Sequence, residues 1–155
     1  MTEERVVAAL QATGIPFEMT RHGQVASLAE AAAARGVEPG KLIKTIVVRR
    51  ADDDYLFVLV PGDRQISWPK LRALLGVPRL SMPDKEVAFE VTGYERGTIT
   101  PFGALHKWPV VADSRLREPG PVSIGGGAHG VGATVDAVDL TTALDATVAD
   151  VTDPL

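Results

Sequence analysis

The stretch Gly97-Thr98-Ile99-Thr100-Pro101-Phe102-Gly103 places two glycines and a proline in a loop with no charged side chain. Such a loop presents peptide N–H groups, which bind anions or polarise carbonyls. Lys44 stands near the head of the run Ile43-Lys44-Thr45-Ile46-Val47-Val48, where a cation is costly unless it has a task or a partner. As a compact charge it could hold a phosphate or a substrate carbonyl, and partial burial would lower its pKa. Equally, its stem could cover apolar surface while the ammonium reaches water. A third stretch, Gly125-Gly126-Gly127-Ala128-His129-Gly130, holds four glycines in six residues. It either brings backbone close to a ligand or makes a plain hairpin turn.

Other chemistries find less footing. The glycine-rich stretch lacks the strand-to-helix context of dinucleotide fingerprints and P-loops. His22, His106 and His129 are scattered and show no zinc spacing, and Asp52-Asp53-Asp54 reads as turn chemistry rather than a calcium loop. No metal or other cofactor is expected. Ser67, Ser81, Ser114 and Ser123 all lie outside a G-x-S-x-G elbow, and the chain has no cysteine to serve as nucleophile. Trp68 and Trp108 are each followed by proline and read as core or pocket wall.

Composition bounds the answer further. A chain of 155 residues, 45% hydrophobic with mean hydropathy +0.09, suits one sizeable core, so residues 1–155 are read as a single domain. Its apolar runs are far short of the roughly twenty residues a bilayer span needs. The start Met1-Thr2-Glu3-Glu4-Arg5 lacks the pattern of a signal peptide, which leaves the cytoplasm as the expected compartment. A net charge of −4 supplies no global field for DNA or RNA, so any RNA contact must be local. The groups Lys41, Lys44, Arg49, Arg50 and Lys70, Arg72, Arg79 could be phosphate patches or ordinary solvated faces.

The elements that must position these residues can be read from caps, breakers and periodicity. A first helix starts at Thr2, buries Val6, Val7 and Leu10, and ends at Gly14; a short edge strand follows over Ile15 to Met19. Ser27-Leu28-Ala29-Glu30 is a capping box before a helix running to Gly36. Ile43 to Arg49 and Tyr55 to Val60 form a hairpin about Ala51 to Asp54. Gln65-Ile66 reads as a short strand, and Ser67 caps a helix ending at Gly76. Ser81, Pro83 and Asp84 start another helix that ends at Gly93. Strands follow at Trp108 to Ala112, Val122 to Ile124 and Ala133 to Val135, with Asp139 capping a last helix. Interleaved helices and strands about a central hairpin argue for an α/β (α+β) fold with a mixed sheet and flanking helices.

Lys44-Thr45 at a strand head, Gly97-x-x-x-Pro101-x-Gly103 in a loop and Gly125-Gly126 near the end follow an order that resembles the YbaK/prolyl-tRNA synthetase-associated editing domain family. Ser67, Lys70, Leu71 and Leu74 before Gly76, Thr92-Gly93-Tyr94, Pro109 to Asp113 and Asp139-Leu140 extend the likeness over about Phe17 to Val151. The resemblance implies a partly barrel-like mixed sheet and trans hydrolysis of the ester of a mischarged tRNA, chiefly tRNA for proline carrying alanine, cysteine or another small amino acid. It implies Lys44, Gly97 and Pro101 as catalytic positions. It further implies substrate contacts from His22, Thr45, Thr98, Ile99, Thr100, Phe102, Gly103, Gly125 and Gly126. The implied partners are the 3′-terminal adenosine and amino acid of aminoacyl-tRNA, and an aminoacyl-tRNA synthetase; no membrane is implied. An activated ester needs a positioned water and a polarised carbonyl more than a strong nucleophile, and the family is thought to borrow a hydroxyl or thiol of the substrate. Many relatives carry serine-glycine-glycine, a basic residue and arginine where this chain has Gly125 to His129. That departure leaves room for an alternative, a non-catalytic module binding the aminoacyl-adenosine end or a synthetase.

Overall fold

In the computed structural model, which describes residues 2–155, nine strands and five α-helices alternate along the chain. The order is α1 (Thr2–Thr13), β1 (Glu18–Arg21), α2 (Leu28–Ala34), β2 (Ile43–Ala51), β3 (Asp54–Pro61), β4 (Arg64–Ile66) and α3 (Trp68–Leu75), then α4 (Lys85–Thr92) and β5 (Val110–Asp113). The chain closes with β6 (Pro121–Gly125), β7 (Val131–Asp136), α5 (Ala137–Ala143), β8 (Thr147–Ala149) and β9 (Thr152–Pro154). Three open sheets result, in the orders β1-β7-β6, β2-β3-β5-β8 and β4-β9. The α/β class with a mixed sheet stands, and the sheets do not close into a barrel.

The β2–β3 hairpin is the spine. Its antiparallel ladder pairs Ile43 with Pro61 through Arg49 with Tyr55, and β3 then pairs parallel with β5. Because side chains alternate across a strand, this ladder feeds two cores. Ile43, Val47, Phe57 and Leu59 face the larger one, with Val6 and Leu10 of α1, Ile124 of β6 and Val135 of β7. Val48, Leu56, Val58 and Val60 face the smaller one, with Leu71 of α3 and Val151.

Several boundaries differ from the sequence reading. The first strand begins at Glu18 rather than Ile15: Pro16 cannot donate to a ladder, and Ile15 and Phe17 instead pack as side chains on the larger core. Ser81 does not start α4; it exchanges backbone hydrogen bonds with Arg49, and Asp84 caps the helix by accepting from Val87 N at 2.9 Å. Asp136, not Asp139, caps α5, accepting from the N–H groups of Val138 and Asp139, both at 3.0 Å. It also accepts from Gly120 N, and these bonds, the Gly120 one foremost, hold its carboxyl below the usual aspartate pKa. The caps at Ser27 and Ser67 form as expected.

Strands β8 and β9 are only three residues each; β8 pairs with β5 and packs Val148 and Ala149 on the two cores, and β9 is fixed by polar contacts as well as its ladder with β4. The carboxylate of Asp113, fully buried, accepts from Thr152 Oγ1 at 2.8 Å and Val151 N at 3.3 Å, and its other oxygen accepts from Arg115 N at 3.1 Å. Arg64 Nε donates to the same Thr152 hydroxyl at 2.7 Å, which ties β4 to the chain's end. Among the described residues, no helix is long and apolar enough to cross a membrane. Asp113→Ala is expected to lower stability by about 2–3 kcal/mol, the scale of hydrogen bonds to a buried charge. Asp153→Ala, at an exposed ion pair with Lys70, should change it by less than about 1 kcal/mol. Urea denaturation of the two variants checks both.

Candidate functional site

The sheet order leaves β2 at an edge. Among the described residues, that edge is bridged at two points, Leu42 to Ser123 and Arg49 to Ser81. Arg49 turns its N–H and C=O outward to Ser81, so by antiparallel alternation those of Val47 and Thr45 also point outward. Along this open edge lies a cavity of about 730 Å³. Its walls come from the segment before α2, from α2 itself, from Met82, Pro83 and Ala88, from the loop at Arg96 to Ile99, and from the turn at Gly125 to Gly130.

Six of the sequence-derived site residues line this cavity together: His22, Lys44, Thr45, Gly97, Ile99 and Gly125. Lys44 Nζ donates to the carbonyl of Arg64 at 2.8 Å, so its ammonium is held at the start of β4. Burial pushes its pKa below the ordinary lysine value, partly opposed by the nearby charge of Asp63. Lys44 is thus partly buried and lines the cavity, and its ammonium is bonded to a backbone carbonyl outside the cavity lining. Thr45 presents a buried hydroxyl with no hydrogen-bond partner.

The Gly97 to Gly103 segment divides in two. Gly97 and Ile99 reach the cavity, whereas Thr98, Thr100, Pro101, Phe102 and Gly103 are not in its lining. Thr98 donates through both N and Oγ1 to Glu95 O, at 2.9 and 2.7 Å, which spends one of the expected peptide donors. Phe102 is buried in the larger core, and its carbonyl accepts from Tyr94 Oη at 2.7 Å. Gly103 O accepts from Arg5 Nε at 3.1 Å, while the Arg5 guanidinium lies 5.0 Å over the Tyr94 ring. The far half of the loop is therefore an anchor to α1, and the near half is the rim.

The glycine-rich turn serves this loop. A Cβ on Gly125 would sit 2.7 Å from Ile99 O, and Gly127 N donates to Thr98 O at 3.2 Å, so the two segments meet backbone to backbone. Gly126 packs on Val131 outside the cavity lining. Nearby, His129 lies over Gly97 and its Nε2 is 3.1 Å from Glu95 Oε2.

Sequence reasoning passed over Arg35, Arg96 and the apolar wall of Val25, Leu28, Met82 and Pro83. Arg35 falls at the C-cap of a helix, where an arginine ordinarily signals only a favourable dipole. With it, the cavity collects five cationic or titratable basic groups, His22, Arg35, Lys44, Arg96 and His129, and its lining contains no carboxylate. In a chain of net charge −4, these basic groups gather in one cleft, with Glu95 beside His129 and Asp63 near Lys44 just outside its lining. Among the described residues, no group of acidic, histidine or cysteine side chains could hold a metal ion.

A family model described as an aminoacyl-tRNA editing domain matches residues 22–143. The proline–tRNA ligase of Thermosipho melanesiensis is 31% identical over 109 residues, covering 70% of this chain and 19% of the ligase. That of Heliobacterium modesticaldum is 34% identical over 102 residues, covering 66% and 17%. The chain thus spans about a fifth of the length of these curated relatives. A crystal structure described only as that of a hypothetical protein superposes with TM-score 0.87 at 27% identity, covering 96% of this chain and 99% of the other. Another, proposed to be a trans-editing enzyme for prolyl tRNA synthetase, gives TM-score 0.87 at 26% identity, covering 98% and 97%.

A buried hydroxyl without a partner adds nothing to the fold. Thr45→Val is expected to leave thermal stability unchanged or to raise it by up to about 1 kcal/mol. A drop of about 2 kcal/mol in thermal or urea unfolding would instead mean that the hydroxyl holds the structure together.

Proposed function

The chain belongs to the aminoacyl-tRNA editing domain family, and from that premise we propose that its β2 cavity hydrolyses the ester of mischarged aminoacyl-tRNA in trans. The observation that carries this reading is the lining itself. Lys44, Thr45, Gly97 and Gly125 converge on one cleft that holds basic groups, apolar wall and no side-chain nucleophile paired with a base. Ser27 Oγ is occupied as the α2 cap, accepting from Glu30 N at 3.1 Å, and Thr45 Oγ1 has no partner at all.

The chemistry these groups support is addition of water to the ester carbonyl. The carbonyl oxygen gains negative charge, the bond to the ribose oxygen breaks with a proton passing to that oxygen, and the free amino acid leaves. Lys44, its head fixed by the Arg64 carbonyl, retains two further N–H donors for the substrate carbonyl or ribose. The outward peptide groups of Thr45 and Val47 and the unpaired Thr45 hydroxyl offer hydrogen bonds to the amino-acid end. A neighbouring ribose hydroxyl of the substrate can position or activate the water, which fits a cleft without a nucleophile of its own.

The finer assignment in this reading is a tRNA for proline carrying alanine, cysteine or another small amino acid. The prolyl-tRNA ligases among the relatives and the trans-editing neighbour support it. The apolar wall of Val25, Leu28, Met82 and Pro83 suits a small aliphatic side chain better than a charged one.

Release of free amino acid from a panel of alanyl-, cysteinyl-, seryl- and threonyl-tRNA tests the reading. Lys44→Ala is expected to lower the rate by about 10²- to 10³-fold while circular dichroism stays unchanged. Absence of hydrolysis on every member of the panel, with tight binding of an uncleavable aminoacyl-amide analogue, would replace the hydrolase by a binding module. The lowered pKa of Lys44 sets a sign. Its ammonium is present below that pKa and lost as pH rises through it, so binding of the amide analogue should weaken at alkaline pH, starting below the range of an ordinary lysine. Lys44→Arg should remove that limb from a calorimetric pH series.

A further inference from the structure

Among the described residues, Arg35 is the one guanidinium of the cavity that is partly buried with only His22 and Ser123 as side-chain partners. From the C-cap of α2 its side chain crosses β7 at Gly132, where a Cβ would lie 2.8 Å from both Cδ and Nε and 3.0 Å from Cζ. Glycine in a strand interior is unfavourable, so the backbone gives up a side chain there to admit the guanidinium. Arg35 Nε donates to His22 Nε2 at 3.2 Å, and one terminal nitrogen reaches the buried Ser123 Oγ at 3.5 Å. His22 Nδ1 lies 2.8 Å from Gly23 O, which can only accept. The ring proton therefore sits on Nδ1, leaving Nε2 free to accept from Arg35.

Two of the five guanidinium N–H groups are thus spent on orientation, and the others have no partner among the described residues. No carboxylate lies within ion-pair distance of Arg35 among the described residues. Arg50, by contrast, is paired with Asp54 at 2.9 Å. Burial works against the charged form of Arg35, lowering its pKa, and no neighbouring anion offsets this. A cation so placed costs stability that structure elsewhere must supply, unless an anion from outside completes the site. The anion must enter through the cavity, whose lining includes both Arg35 and His22.

We propose that Arg35, oriented by His22 and Ser123 over Gly132, is the receptor for a phosphate group. Resting on the deacylase reading above, this phosphate is the phosphodiester on the 5′ side of the terminal adenosine. In an aminoacyl ester the amino acid's carboxyl is already esterified and its amine is cationic, so the phosphodiester is the anion the substrate end can offer. A planar fork of N–H donors matches two phosphate oxygens, which a lysine at this position would not reproduce. Arg35 thereby fixes the nucleotide in the cleft whose lining Lys44 shares.

Calorimetric titration of an uncleavable 3′-alanylamino-3′-deoxyadenosine, with and without a 5′-phosphate, isolates this contact. The wild-type protein is expected to bind the phosphorylated form roughly 10- to 100-fold more tightly, with the factor shrinking as salt is raised. Arg35→Gln should abolish the factor while leaving the unphosphorylated analogue within about threefold of wild type, and Arg35→Lys should restore only part of it. A wild-type protein indifferent to the phosphate, or an Arg35→Gln variant that keeps the preference, overturns the proposal and leaves the deacylase reading standing. Equal weakening of both analogues in Arg35→Gln would make the arginine structural and overturn it likewise. If neither analogue binds, the adenosine reading fails. Inorganic pyrophosphate then decides the receptor itself: a shift of the Arg35 Nε–H resonance upholds it, and no shift overturns it.

Discussion

One-sided pairing of β2 is the constraint on which the rest of the structure depends. Its inner edge is fully committed to β3, and through β3 to the parallel strand β5, so both faces of the ladder are buried in separate cores. Among the described residues, its outer edge is closed at Leu42 and Arg49. An unpaired strand edge is ordinarily a liability, because its peptide groups seek partners. Here the gap is roofed by α2, the Arg96 to Ile99 segment and the glycine-rich turn, which converts the edge into the floor of a cleft. A ligand that enters meets backbone donors and acceptors already fixed by a core on each side of the sheet.

The roof is held together by contacts that admit little variation. Backbone meets backbone at Gly125 and Ile99, and Gly127 N donates to Thr98 O. His22 N donates to Gly130 O at 2.8 Å, joining the end of β1 to the same turn. The far half of the Gly97 to Gly103 loop is pinned to α1 through Arg5 and Tyr94. The rim therefore rests on the larger core, and the electrostatics follow the same plan. Carboxylates pair with bases on the outside, as at Lys70 with Asp150 and Arg50 with Asp54, and of the cleft's basic groups His129 meets Glu95 and Lys44 lies near Asp63, both carboxylates outside the lining.

Much of the fold was legible in the chain because its signals are local. Ser27 and Ser67 before apolar helices, and two β-branched runs about Asp52 to Asp54, act within a few residues and form as read. Where two local signals compete, the neighbours decide. Asp136 outcompetes Asp139 as the α5 cap because Gly120 also donates to it. Ser81 gives up its cap to pair with Arg49, from a segment more than thirty residues earlier in the chain. Strands β8 and β9 are too short to carry an alternation signal; β8 is held by its parallel ladder with β5, and the buried carboxylate of Asp113, far away in sequence, holds the start of β9.

The site divides along the same line. The sequence by itself determined that Lys44 stands in an otherwise apolar strand, that a charge-free glycine loop follows α4, and that the chain has no cysteine nucleophile, since residue type and short spacing suffice for each. It also carried the order of motifs by which the chain resembles its family. Tertiary structure alone decided that Lys44, Thr45, Gly97 and Gly125 share one cleft while Pro101 lies outside its lining and Phe102 and Gly103 serve as anchors. It alone brought Arg35 to His22 and Ser123, across a glycine that looks unremarkable in sequence. The physical reason is that burial and charge compensation are properties of neighbours in space. An arginine at a helix end becomes an anion receptor only when strands from elsewhere in the chain withhold a carboxylate from it.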